Sequence, residues 1–579
     1  GERCAARAAA ALGVAAAFVA GLGALQAIRP GLLADPEPSW APYRLALCLA
    51  VAAAAAAAGV ASAGLLLFAS RSPALTEPLQ GWPFNAVVTG ALAGAALCAG
   101  VLLRFVALGR VPEWLWIDDL SLIGPALRLQ GRFSDFADAV RPVPFGVAKL
   151  YGTVGVLYLE GYRWALQAWG TTVFGVRFPS ALAGAVSLAT GGLLGRALLP
   201  RGGGAVAVLA LSGLRWHLIL SRWGWVMIVL VAIVDLATLV LLRARRRSSV
   251  WAALAAGVVA GLGAHVYLAS WVAGAALCAF ALWPVDKPGA RFLLALSFAA
   301  GFAAAASPIF LFRQGRQASY FARASDHNLA LEIARSRSPE PLAAVAADAL
   351  AAPWWVPDPS PRQDLPGAAR LGLLLGLPVA VALARSLLAP RAELSALLLS
   401  HAGAAFAATV ASGQAGNPNG SRFAYLSTVT AVAAGAGALA LLRLAPLGRR
   451  RAAALLAVGA IAVSGALGVR DALLVWPERP ETFDGFHGGD TLIARAALRW
   501  ERLASVAVEP GLGHSDVTID AIRRYRLDPA GGSQTAAGPR GVRVAAASAA
   551  ARAGERLVER IVAPGGKTIG VVFARRLSE

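Results

Sequence analysis

Cysteine is scarce in this chain of 579 residues: only Cys4, Cys48, Cys98 and Cys278 occur, all within or beside apolar runs, and none forms a CxxC pair. That excludes a disulfide framework and a cysteine zinc site as organising devices. Internal repeats are lacking as well, and the alanine tracts reflect compositional bias. A cleavage site is missing after the apolar stretch 5–28, so this stretch is read as a helix that stays in the chain. Long polar segments are few before residue 471.

Apolar side chains are abundant instead. They make up 58% of the residues, and the mean hydropathy is +0.62. Soluble domains average about 45–50% apolar. Runs such as 50–70 and 226–242 carry few or no charges, and about 20 such residues suffice to cross a bilayer. Candidate spans lie at 6–27, 44–69, 83–104, 177–198, 204–220, 224–242, 250–268, 270–285, 291–312, 369–389, 394–413, 423–442 and 452–470. The expected fold class is therefore an all-α polytopic membrane protein with about thirteen spans, carrying a small α/β domain at its C-terminal end. Alanine, glycine and leucine dominate the spans, and small residues let helices approach closely in lipid.

The formal charge is +21, a balance that nucleic-acid binders share. Its distribution excludes that class here. The arginines cluster between apolar runs, at Arg243, Arg245, Arg246 and Arg247 and again at Arg443, Arg449, Arg450 and Arg451. This is the positive-inside pattern. With Arg196, Arg201, Lys287, Arg291, Arg385 and Arg391 it places those turns in the cytoplasm. Segments 105–175, 313–367, 414–422 and 471–579 then lie outside. Within the first, 146–169 mixes Lys149, Glu160, Arg163 and Gln167 with Tyr151, Tyr158, Tyr162, Trp164 and Trp169. Charges among aromatics suit a helix lying at the membrane surface.

The tail beyond 471 changes character. Segments 505–509, 542–544 and 569–573 read as strands, 515–524 as a helix capped by Ser515, and 529–541 as a Gly/Ala/Ser-rich loop. The expected organisation is two additional spans in 1–82, a transmembrane module in 83–470 with external loops 105–175 and 313–367, and an external soluble α/β domain in 471–579.

The chemistry-bearing residues gather in the first external loop. Trp114 and Trp116 suit the water–lipid boundary, and Asp118 and Asp119 follow at once. Adjacent carboxylates repel, and burial at that depth raises the proton affinity of one of them. A general base requires such a group. The bland alternative is a solvated turn.

The segment from Trp116 to Leu120 resembles the acidic motif in the first external loop of the protein O-mannosyltransferase and lipid A aminoarabinose transferase families. Four further stretches are similar to segments of these families: Arg177 with Pro179, Ser180 and Ala181; Trp216 to Gly224 with Ser221 and Arg222; Trp354 to Gly376 with Asp358 and Asp364; and Asn417 to Phe423 with Arg422. The similarity covers roughly 83–445, and it rests on the order and external placement of the motifs. One departure stands out: Arg141 to Pro144 occupies the place where the mannosyltransferases carry a His-Pro-Pro-like motif.

The resemblance implies the glycosyltransferase C-type fold, a polyprenyl-phosphate-sugar donor, and a lipid, glycan or protein acceptor. It also implies a bacterial inner membrane setting and inverting transfer of a hexosyl or pentosyl group on the external face. On that reading Asp118 is the base with Asp119 beside it. Arg222, Arg422 and Lys149 are candidates to hold the donor phosphate, because guanidinium forks suit phosphate oxygens. His217, His265, Tyr267 and Asp358 are candidates for a sugar pocket. No cofactor is expected. A divalent metal among Asp118, Asp119, Asp358 and the histidines lacks a supporting ligand spacing. Asp235 and His401 lie inside spans without an assigned role. The rival readings are a transporter or flippase for a lipid-linked glycan, a non-catalytic assembly subunit, and a ligase moving whole glycans. The lack of a repeat opposes the first, a dispensable acidic pair would mark the second, and the early position of the acidic loop opposes the third.

Overall fold

The computed structural model describes residues 84–128, 143–144, 153–154, 156–284, 288–307, 338, 340–351, 353–354, 357–358, 360–390, 392–412, 420–501, 504–527, 542–553, 555–564 and 566–575. The expected spans at 6–27 and 44–69 lie outside them. Among the described residues, six helices are long and apolar enough to cross a membrane: Ala86–Phe105, Val173–Leu198, Met227–Arg247, Glu393–Val410, Phe423–Leu444 and Arg450–Glu478. Gly203–Ser212 and Arg215–Arg222 make a seventh if counted as one bent span. Five shorter apolar helices, among them Val250–His265 and Leu373–Leu388, occur among the described residues as well.

Local chemistry fixes where these helices begin. Asn85 accepts the Val88 amide at 2.9 Å, Thr172 the Gly175 amide at 3.0 Å and Ser249 the Ala252 amide at 3.2 Å. Each satisfies an amide that the first turn leaves unpaired. Glycine sets the closest helix approach. A β-carbon on Gly257 would meet the Phe298 carbonyl, and one on Gly301 the Leu254 carbonyl. The helices Val250–Leu262 and Pro288–Ala306 therefore pack main chain to main chain.

The span expected over 204–220 is not continuous. The chain turns by 58° between Gly203–Ser212 and Arg215–Arg222. Gly213, at the break, abuts the main chain of Gly465 and Gly468 in the Arg450–Arg470 helix, which leaves no room for a side chain. The Leu211 carbonyl beside the break accepts from the Arg104 guanidinium at 3.4 Å. An interrupted helix inside a bundle needs such a substitute donor.

The segment expected at the membrane surface forms the helix Val156–Trp169, with Tyr158, Tyr162, Leu166 and Trp169 buried and Trp164 exposed. In the loop before it, β1 (Val143–Pro144) pairs antiparallel with β2 (Thr153–Val154).

The C-terminal region holds the helices Gly488–Glu501 and Asp516–Arg524 and a sheet of β3 (Val506–Val508), β4 (Val542–Ala546), β5 (Glu555–Val562) and β6 (Thr568–Arg575). The strand order is β3-β4-β6-β5, with β3 parallel to β4 and the other pairs antiparallel. The Asp516–Arg524 helix, capped by Ser515 at the Thr518 amide, makes the crossover that a parallel pair requires. This region does not stand apart as an appendage. Its Ile493, Ile519, Val544 and Val572 belong to one continuous apolar core with Trp116, Leu120 and Tyr162 of the first loop and with Trp223 and Ile228 of the bundle. Separate clusters fill the bundle itself, one around Trp216, Val379 and Tyr425 and another around Leu241, Phe280 and Phe298.

Candidate active site

The first loop leaves the Ala86–Phe105 helix as irregular main chain, whose carbonyls need donors where they are buried. Two fully buried arginines supply them. Arg222 Nη1 donates to Leu103 at 2.8 Å and to Arg104 at 3.3 Å, and its Nη2 donates to Val111 at 3.1 Å. Arg177 Nη1 donates to Leu108 at 3.1 Å and Pro112 at 2.6 Å, and its Nη2 to Trp114 at 2.8 Å. The planar fork of five donors makes arginine suited to such multiple carbonyl contacts.

The loop so held delivers the short helix Ile117–Ser121, with Asp118 and Asp119 in its first turn. Tyr162 donates its hydroxyl to the Asp119 carbonyl at 2.7 Å, and Ser121 donates to the Asp118 carbonyl at 3.0 Å. Asp118 is 5% exposed and Asp119 is 0% exposed. Both carboxyl oxygens of Asp119 are buried without a hydrogen-bond partner. Burial pushes its pKa up to about 7, and the neighbouring Asp118 adds to the rise. The Arg177 charge pulls the other way, as do the Trp116 amide and the Trp223 indole, although neither closes a hydrogen bond to the carboxylate. Burial also raises the phenols of Tyr158 and Tyr162 above their ordinary range.

Two other parts of the chain reach the same place. From the second loop, the Arg362 guanidinium lies 4.0 Å from the Trp116 ring centroid. No described acid closes an ion pair with it. From the C-terminal region, His487 sets its ring 4.3 Å from Trp116, and His514 stands 3.5 Å from His487. His487 has φ +51°, in the left-handed region where glycine is the usual residue, and its buried Nδ1 has no partner. Burial, then His514 and Arg362, holds its pKa down at about 4. Asp490 binds the amides of His514 at 2.7 Å and Ser515 at 3.0 Å, and burial raises its pKa to about 6. Arg495 pairs with Glu113 and donates to the Glu113 carbonyl at 3.0 Å, and Thr491 accepts the Leu115 amide at 3.2 Å. The C-terminal region thus grips the acidic loop on both sides of Trp114.

The other residues singled out in the sequence divide into three groups. Asp358 is a buried anchor, paired with Arg370 at 2.7 Å, and Arg370 approaches Asp364 at 3.9 Å. Asp364 in turn takes Arg215 at 2.6 Å, and Arg215 reaches Asp471 at 3.5 Å. This chain of ions ties the second loop to the break in the bundle. His217 is fully committed: Arg104 Nη2 donates to its Nδ1 at 2.6 Å, so its Nε2 carries the proton and faces Ser187 Oγ at 2.7 Å. His265 donates through Nε2 to the Ala305 carbonyl at 2.8 Å. Tyr267 packs, half-buried, between two apolar cores. Asp235 accepts from Thr190 at 2.9 Å and Thr428 at 2.8 Å, joining three helices, and His401 faces the Leu397 carbonyl at 3.0 Å. Lys149 and the side chain of Arg422 lie outside the described residues.

The structure thus gathers Asp118, Asp119, Trp116 and Trp223 with Arg177, which the sequence offered in a resembling segment without a role, and adds Arg362, His487 and His514, which sequence reasoning missed. Arg222 lies close by, but both Nη atoms of its guanidinium serve main-chain carbonyls, and its Nε, though without a partner, is buried. Among the described residues, no group of three or more His, Cys, Asp or Glu side chains has metal-holding geometry.

No protein-family model matches the sequence, and no curated protein matches it. Among solved structures the chain is similar to the crystal structure of ArnT from Cupriavidus metallidurans bound to undecaprenyl phosphate. The identity is 12%, over 83% of this chain and 97% of that one, with a TM-score of 0.48.

The burial of Asp119 carries its own measurable consequence. The folded protein holds this proton up to about pH 7, whereas an ordinary aspartate releases it at 3.8. The folded state then binds more protons than the unfolded chain between these limits, so stability falls as pH rises through them and levels off above. A separation of about three pH units corresponds to at most ~4 kcal/mol. Thermal unfolding in detergent at pH 5 and pH 8 checks this: Asp119→Asn is expected to flatten the slope and to unfold at higher temperature at pH 8. Identical slopes in parent and variant would contradict it.

Proposed function

We propose that this protein transfers one sugar from a polyprenyl-phosphate carrier to an acceptor hydroxyl, at the membrane face where its long loops converge. That face is the external side, on the distribution of arginines between the spans, and the family resemblance of the sequence implies a bacterial inner membrane. One observation carries the reading: a buried pair of adjacent carboxylates sits at one end of an apolar helix bundle, beside an arginine free of any described acid. The order of motifs along the sequence supports it as well.

The acceptor oxygen attacks the anomeric carbon and gives its proton to Asp118. The bond from that carbon to the phosphate oxygen breaks, and the polyprenyl phosphate leaves with the electron pair. A single displacement inverts the anomeric centre. The leaving group is already a stable anion, so no second carboxyl is needed as acid, unlike in glycosidases. Positive charge beside the leaving phosphate lowers the barrier. Arg362 takes that role in place of the buried Arg222, because it lies on Trp116, two residues from Asp118. The acceptor is a lipid, glycan or protein that reaches this face.

Purified protein in detergent, given a labelled lipid-linked sugar and membrane extract as acceptor source, tests the reading. Appearance of label in an acceptor supports it, and donor recovered intact under all conditions removes it. Arg362→Ala is expected to raise the donor KM about 10- to 100-fold, the worth of a charge-assisted hydrogen bond. Arg362→Lys should keep part of the affinity. An unchanged donor KM in the alanine variant would take Arg362 out of the site.

A further inference from the structure

His487 takes a main-chain conformation that its side chain does not favour. It follows the helix Pro480–Gly485 and its cap Phe486 with φ +51°, at the left-handed position where glycine or asparagine usually closes a helix. Strained positions of this kind gather at functional sites. The His487 imidazole lies 4.3 Å from the Trp116 ring, and the Arg362 guanidinium lies 4.0 Å from the same ring. Trp116 stands two residues before Asp118. Neither ring nitrogen of His487 has a hydrogen-bond partner among the described residues. Its Nδ1 is sealed, which leaves Nε2 as the open one.

The second histidine holds the ring in place. His514, which is exposed, stands 3.5 Å from the half-buried His487. Asp490 fixes the loop that carries it by accepting the amides of His514 and Ser515. The helix that starts there, Asp516–Arg524, packs against the acidic turn Ile117–Ser121. The pair therefore borders the acidic loop on one side and water on the other. Burial, with His514 and Arg362, keeps the His487 ring neutral at pH 7. A neutral imidazole donates or accepts through Nε2 according to its tautomer, whereas arginine only donates. Arg362 therefore suits a phosphate, and His487 suits a hydroxyl, which itself both donates and accepts.

We propose that His487 is a substrate-binding residue of the transfer site: its Nε2 exchanges a hydrogen bond with a hydroxyl of a sugar held beside Trp116, and His514 backs the ring. The proposal rests on the sugar-transfer reading and names the side chain of the C-terminal region that meets substrate. The hydroxyl belongs to the donor's sugar or to a carbohydrate acceptor, and two arms of the test tell these apart.

His487→Gly removes the imidazole and installs the residue that the left-handed main chain prefers, so the protein should stay folded, with an unfolding temperature in detergent close to that of the parent. His487→Asn tolerates the same φ and returns an amide that donates and accepts. Transfer from a labelled lipid-linked sugar, with membrane extract as acceptor source, is expected to fall about three- to tenfold in kcat/KM for His487→Gly, the loss of one neutral hydrogen bond. His487→Asn should recover part of it. Binding is measured alongside, with the lipid-linked sugar and with polyprenyl phosphate alone. If His487 holds the donor's sugar, His487→Gly binds the lipid-linked sugar more weakly by the same factor and binds the bare carrier as the parent does. If it holds a carbohydrate acceptor, both lipids bind as in the parent, and the half-saturating amount of extract rises by that factor. A folded His487→Gly that transfers at the parental rate overturns the proposal. So does a rate lost only in step with unfolding temperature, or a fall in kcat with both arms unmoved. A parent that moves no sugar removes the reading beneath. The binding arm then decides alone: the parent must bind the lipid-linked sugar more tightly than the bare carrier, and His487→Gly must erase the difference.

Discussion

Asp118→Asn is expected to lower kcat for sugar transfer by about 10²- to 10⁴-fold, the usual contribution of a positioned proton acceptor. The substitution keeps the size of the side chain and one of its oxygens, so the Ile117–Ser121 turn should survive it. What disappears is the ability to take the acceptor's proton. The donor KM should change little, because the donor phosphate is held by cations. Asp119→Asn is expected to cost less at its optimum and to alter the pH dependence instead, because Asp119 is sealed at 0% exposure while Asp118 retains 5%. Steady-state rates with the labelled donor, taken from pH 5 to pH 9, separate the two. If Asp118→Asn works within a few-fold of the parent at every pH, the proposed chemistry is wrong.

The sequence shows some of this structure plainly and hides the rest for identifiable reasons. Hydropathy windows find a helix that carries one long unbroken apolar run, as Met227–Arg247 does before its terminal arginines. They average across a break, and so they run through Gly213, where the cause is the main chain of a distant helix. Ser515 is legible as a cap because the capping bond is local. β5 is not legible: Glu555–Val562 carries two Glu-Arg pairs that suit a helix surface equally well, and its state is decided by pairing with β6. Arginines are the hardest case. Arg177 and Arg222 occupy span ends, where topology alone accounts for a cation, and nothing in the sequence says that both reach carbonyls of one loop, at Pro112 and Val111. Arg362, between Pro361 and Gln363, is not legible because its significance comes from Trp116, 246 residues earlier in the chain. Asp118 and Asp119 could be read because their chemistry is contiguous.

The largest stability effect is expected from Trp476→Ala. Trp476 is fully buried where the helical run Arg450–Glu478 gives way to the C-terminal region. Its indole donates to the Pro361 carbonyl at 2.6 Å, and its ring packs edge-on to Phe486 at 5.8 Å. Phe486 in turn meets Trp223 at 6.1 Å. One side chain therefore joins the second loop, the C-terminal region and the bundle. Truncation leaves a cavity that such interlocked neighbours fill poorly, at a cost of about 3–5 kcal/mol, and strips the Pro361 carbonyl of its donor, at ~1 kcal/mol or more. Phe298→Ala provides the comparison. Phe298 is as deeply buried, but in a bundle cluster that contains no residue of the acidic loop. Both variants should unfold at lower temperature. Well below either transition, Phe298→Ala should retain its rate, whereas Trp476→Ala should lose activity, because Pro361 precedes Arg362 and Phe486 precedes His487, and both of those flank Trp116. Thermal unfolding and transfer rates measured on the same samples compare the two. If both variants lose rate only in step with stability, the C-terminal region merely braces the bundle; if Trp476→Ala alone loses rate while still folded, that region forms part of the wall of the site.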